Sequence, residues 1–87
     1  MEEESEAAKE KVESRIRKDI EMFDESVKEY TAMQITPSAK EKEIAALAAM
    51  YASDAKSYLK KGDLFTAFSC ISYAHGLLDA LKALTRE

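Results

Sequence analysis

Tyr58-Leu59-Lys60-Lys61-Gly62-Asp63-Leu64 is the stretch that decides the fold of this chain. Lys60 and Lys61 complement the negative end of a helix dipole, and Gly62 is the residue type that best accepts a left-handed C-cap. Asp63, immediately after, is a good N-cap for a new helix. One helix ends and another begins within two residues, which predicts an antiparallel helical hairpin.

Working back from that turn, Ile44, Leu47, Ala48, Tyr51, Ala55, Tyr58 and Leu59 form an apolar stripe at helical spacing. The only proline, Pro37, marks where this helix starts. Either Thr36 caps it and Pro37 takes the first helical position, or Ser38 caps it with Glu41 closing a capping box. Working forward, Leu64, Ala67, Phe68, Ile71, Leu78 and Leu81 make one apolar line, and Tyr73, Leu77, Ala80 and Leu84 make another. An arc so wide is expected to touch two neighbouring helices. Outside it runs a strip of small or polar residues, Ser69, Ser72, Gly76, Asp79 and Ala83. Glycine inside a helix costs roughly 1 kcal/mol relative to alanine, so Gly76 is expected to mark a close backbone approach, by the first helix or by a second chain.

Upstream, Val12, Ile16, Ile20, Phe23, Val27 and Tyr30 recur every three or four residues and define a first helix. Glu13 with Arg17 and Asp24 with Lys28 are favourable i, i+4 pairs on its surface. Residues 1–11 are acidic and offer only Ala7 and Ala8 to bury, so they are expected to overhang the bundle or fray. The reading is all-α: an antiparallel three-helix bundle with a long first helix, one domain over residues 1–87, and helices at about 4–33, 38–61 and 63–85.

The chain has 87 residues, two glycines, one proline and a formal net charge of -4. Acidity argues against a general phosphate-binding surface, although Lys11, Arg15 and Lys18 form a short basic line at helical spacing. An RNA-binding role for that line would show as salt-dependent retention on RNA. Lone Cys70 cannot close an internal disulfide, which fits a reducing cytoplasm. The Met1-Glu2-Glu3-Glu4 start is unlike a signal peptide, and no apolar run approaches the roughly 18 residues of a membrane span, so a soluble chain is expected.

Chemistry is sparse. One histidine, His75, excludes a multi-histidine metal site within one chain, and no cofactor is indicated. Cys70 and His75 lie some 140° apart on a helix turning about 100° per residue, so they do not pair, and Cys70 is expected to be a buried, inert thiol. The four tyrosines sit on apolar stripes, as core residues do. No glycine-rich phosphate loop, Gly-x-Ser-x-Gly elbow or Cys-x-x-Cys pair occurs. A non-enzymatic role is expected.

The stretch from Ala55 to Asp63, with Tyr58-Leu59 and Gly62-Asp63, followed by Tyr73-Ala74-His75-Gly76-Leu77-Leu78-Asp79-Ala80-Leu81, resembles a short archaeal family known as domain of unknown function 357. The resemblance implies a compact, cytoplasmic helical protein and carries no catalytic residues. The hairpin is also similar to a single tetratricopeptide unit, but the 34-residue repeat is absent. Nucleases of the HEPN type share such hairpins and place an arginine four to six residues before a histidine; Ser69, Cys70 and Ile71 hold those positions here.

Two functions from different classes follow as expectations. One is an interaction module, a homo-oligomer or an adaptor for another protein, that uses Phe65, Ser69, Ser72, Gly76 and Asp79 on helix three. The other is a small-molecule or nucleotide-binding accessory domain with Tyr73, His75 and Asp79 lining a groove, acting with a separate enzyme.

Overall fold

The structure is a computed structural model that describes residues 2–85. Met1, Arg86 and Glu87, which the expected domain includes, lie outside the described residues. Three helices follow in order: α1 over Glu2–Ala32, α2 over Ala39–Lys61 and α3 over Leu64–Thr85. All three expected helices are present, with boundaries within two residues at every described end, and together they form the all-α three-helix bundle.

The hairpin turn closes as its sequence requires. Gly62 adopts φ 83, its N–H donates to Leu59 O at 3.1 Å, and Asp63 N–H donates to Tyr58 O at 3.0 Å. These bonds satisfy carbonyls at the end of α2 that have no helical partner. Asp63 then caps α3 by accepting from Thr66 N–H at 3.2 Å and from the Thr66 hydroxyl at 2.8 Å. At the start of α2 the capping box wins over the proline alternative. Glu41 N–H donates to Ser38 Oγ at 3.1 Å, and Ser38 N–H donates to Glu41 Oε1 at 2.7 Å, so Pro37 stays outside the helix.

α3 packs most extensively on α2, less on α1, and α1 touches α2 least. The buried residues of α2 are all alanine, Ala48, Ala52 and Ala55, and they meet Ala67, Ile71, Ala74, Leu78 and Leu81 of α3. α1 contributes Ile16, Ile20 and Phe23. Two residues of the expected α1 stripe are not core: Val12 and Val27 are exposed. The wide α3 arc is likewise only partly used, since Phe68, Tyr73, Ala80 and Leu84 face outward. Two neighbours placed side by side cover roughly half a helix circumference, not all of it.

The Glu13–Arg17 pair forms at 3.1 Å, but Asp24 does not pair with Lys28. Asp24 reaches Lys56 of α2 at 3.9 Å, and Lys28 pairs with Glu25 at 3.5 Å. α1 is helical from Glu2, yet residues 6–12 are exposed, so the overhang exists as helix. The molecule is accordingly a rod, 52 by 17 by 16 Å between Cα extremes. α3 also corrects one expectation: by length and composition it is apolar enough over 18 residues to cross a membrane, even though Ser69, Ser72, His75 and Asp79 interrupt the run. In this fold one side of it forms the core.

Two stability outcomes follow. Ala55, fully buried against α3, has no room for a longer side chain, so Ala55→Leu is expected to destabilise the fold by about 1–3 kcal/mol in urea unfolding, as overpacked cores do. Among the described residues the buried Tyr30 hydroxyl has no hydrogen-bond partner, so Tyr30→Phe is expected to leave the unfolding midpoint unchanged or raise it.

Candidate functional site

The outer side of α3 is set by the hairpin. With Ala67, Ile71, Ala74, Leu78 and Leu81 turned inward, the 100° helical step turns Phe65, Ser69, Ser72, Gly76 and Asp79 outward, and all five are exposed. Phe65 is 82% exposed, the most open large apolar side chain in the described chain. The Ser69 hydroxyl donates back to Phe65 O at 3.0 Å, which removes its donor from the surface and leaves the strip less polar than its composition suggests. A Cβ built on Gly76 would meet nothing within 4 Å. The expected approach of α1 to Gly76 therefore does not occur, and the space over this glycine is open.

The ligand candidates do not converge. His75 lies on the α1 flank of α3, where its Nε2 donates to Asp19 O at 2.8 Å and its ring stands edge-on to Phe23 at 5.6 Å. A backbone carbonyl only accepts, so Nε2 carries the proton. Tyr73 lies on the opposite flank, edge-on to Tyr51 of α2 at 4.7 Å. Asp79 faces outward and makes no bond to His75 among the described residues. The three side chains point three ways and line no common groove. Lys82, which sequence reasoning did not single out, joins His75 on the α1 flank: its Nζ reaches Glu29 Oε1 at 2.8 Å and also donates to Ser26 Oγ. Its place at the edge of the apolar arc was the available signal.

Cys70 is half-buried rather than fully buried. Burial raises its thiol pKa, and the Asp54 and Asp63 carboxylates add to the rise. The thiolate, the reactive form, is thus disfavoured. Among the described residues no three His, Cys, Asp or Glu side chains form a metal-sized cluster.

The surface grooves lie where α1 meets its neighbours. At the hairpin end, Ala8, Lys9, Lys11, Val12 and Arg15 of α1 face Leu64, Phe65 and Phe68 of α3 across an open, largely apolar depression. Phe68 and Val12, expected in the core, are 48% and 44% exposed there. Lys11 and Arg15 of the basic line border this depression, while Lys18 does not.

Fold and surface together define a small all-α domain that displays apolar surface on its central helix. The sequence profile of the family described as protein of unknown function (DUF357) matches residues 18–86, and the chain belongs to that family. The match begins inside α1, so residues 2–17 of that helix lie outside the matched region. No curated protein matches the chain.

The raised thiol pKa has a testable sign. A thiol that ionises at higher pH when folded than when unfolded contributes stability that is present below the unfolded value and fades as pH rises through the folded one. Cys70→Ala is therefore expected to flatten the alkaline decline in stability, and native Cys70 should react with Ellman's reagent at pH 8 more slowly than free cysteine, both read by absorbance or circular dichroism.

Proposed function

We propose that this domain is a non-enzymatic interaction module of the cytoplasm, whose α3 outer strip meets another protein chain. The observation that carries the proposal is the openness of Phe65 and Gly76 on the helix that also holds the core. A helix whose inward side binds α1 and α2 while its outward side is built of small residues with one open aromatic, Phe65, suits a second helical contact, because small residues let backbones approach closely. The lone thiol accords with a reducing compartment. Nucleic acid, membrane and cofactor have no part in this reading. A small-molecule site built on Tyr73, His75 and Asp79 draws no support from side chains that face three directions.

The test is site-specific photocrosslinking in cells. A benzophenone amino acid placed at Ser72 is expected to give one or two discrete adducts, at twice the chain mass or to a single other protein. The same group at Lys40, exposed at the start of α2, should give none. No adduct from position 72, or the same adducts from both positions, would sink the proposal.

A further inference from the structure

α1 carries a charge gradient that bears on the hairpin-end depression. Residues 2–10 hold five glutamates against Lys9 alone, whereas residues 11–18 hold Lys11, Arg15, Arg17 and Lys18 against Glu13 alone. Most of the acidic half overhangs the bundle, and Lys11 and Arg15 of the basic half border the depression, while Arg17 lines a groove on the α2 side. Level for level, Asp19 meets His75 and Ser26 meets Lys82, so α1 and α3 run parallel with a constant offset. By that offset the start of α3 at Leu64 stands beside Ala8, and everything before Ala8 projects past the hairpin.

A helix that projects without tertiary packing is marginal in water, since helical stability in proteins comes mainly from packing an apolar face. Beside the projection stand Val12, Phe65 and Phe68, uncovered by their own chain. The geometry points to a second copy of this chain as the missing neighbour: two α1 helices pair antiparallel through residues 2–18, and each overhang lies across its partner's Val12, Phe65 and Phe68.

Charge selects this occupant and this direction. Antiparallel pairing sets each acidic half against the partner's basic half, twice per pair by symmetry, whereas parallel pairing would set like against like. Ala7 and Ala8 give the overhang a small side that can enter the depression closely. Lys11 and Lys18 make no ion pair with other described residues, and Arg15 only a 4.0 Å contact with Asp19, so basic charge is free to meet the partner. This inference rests on the domain acting through chain-to-chain contacts, and it names the partner for one end of the exposed surface.

Light scattering coupled to size exclusion tests it on the full chain. The wild-type mass is expected to rise with concentration from one chain, 9.7 kDa, toward two, and to fall back in 1 M salt. Two charge-reversal variants sharpen the test: an all-acidic helix, Lys11→Glu with Arg15→Glu and Lys18→Glu, and an all-basic one, Glu3→Lys with Glu4→Lys and Glu6→Lys. Each alone is expected to stay at one chain, with circular dichroism confirming that it folds. Mixed in equal amounts they should regain the two-chain mass, because acidic then meets basic at both ends. A wild-type chain that stays single at every concentration would overturn the pairing while leaving the Ser72 crosslinks to decide the broader proposal. A two-chain mass indifferent to salt and to both variants would also overturn it, and would place the contact elsewhere. A single chain that sediments with phosphatidylserine vesicles would give the depression to an anionic membrane surface instead.

Discussion

The close contact between α2 and α3 is the constraint on which the rest of this structure depends. α2 brings only Ala48, Ala52 and Ala55 fully inside, and α3 answers with Ala67 and Ala74 among its buried residues. Alanine contributes little transfer energy of its own, but it lets two backbones approach and gathers many weak dispersion contacts along the seam. The cost is a thin core. The large side chains that are completely buried are Ile16, Ile71 and Leu81. The aromatic residues lie outside this seam: Tyr51 meets Tyr73 at its edge, and Phe65 and Phe68 are left largely or half open on the side toward α1. The exposed surface is thus a consequence of how the hairpin closes.

α1 is added to this pair by a different kind of interaction. Ile16, Ile20 and Phe23 give it an apolar footing, but its register is set by two polar side chains along one flank, His75 bonded to Asp19 O and Lys82 bonded to Ser26 and Glu29. Sliding α1 by one turn would break both and strand a half-buried lysine, which is costly where solvent cannot replace the lost partner. The register in turn decides how far α1 projects. A helix of 31 residues is about 46 Å long at 1.5 Å per residue, against about 33 Å for the 22 residues of α3, so a long unpaired end is unavoidable once His75 is bonded to Asp19.

Much of this was legible in the sequence, and the misreadings have physical causes. Gly62-Asp63 announced the hairpin because glycine takes the left-handed cap conformation without a Cβ clash and aspartate accepts from the first N–H groups of a new helix. Ser38 and Thr36 could not be ranked in advance, since both cap well and the choice rests on whether Glu41 can turn back to the Ser38 N–H. Periodicity gave the side of each helix that turns toward its neighbours but not the depth of burial: Val12 and Val27 lie on the stripe and still reach solvent, because each borders an open groove between α1 and the helix beside it. Ala52 and Ala74 were passed over, since alanine is as common outside as inside. Asp24 found Lys56 across the bundle instead of Lys28 along its own helix, a choice that no single-helix rule contains.

The proposal of a contact surface starts from the way the chemistry of this domain is distributed. Catalysis needs a nucleophile, a base and a stabilising donor within hydrogen-bond reach of one reacting atom. Here the thiol is held in its unreactive form, the histidine is committed to a backbone carbonyl on α1, and Tyr73 is packed against α2 on the far side. What does converge is apolar: Val12, Phe65 and Phe68 around one depression. Fully covering such side chains stabilises by roughly 1.5–3 kcal/mol each. Val12 and Phe68 are already about half covered, so three such side chains on each of two facing copies yield a total of the same order as an association cost of about 4–15 kcal/mol. On the proposed pairing, contacts form and release as concentration changes, and the opposite charges at the two halves of α1 add direction to an association that apolar area alone would leave unoriented.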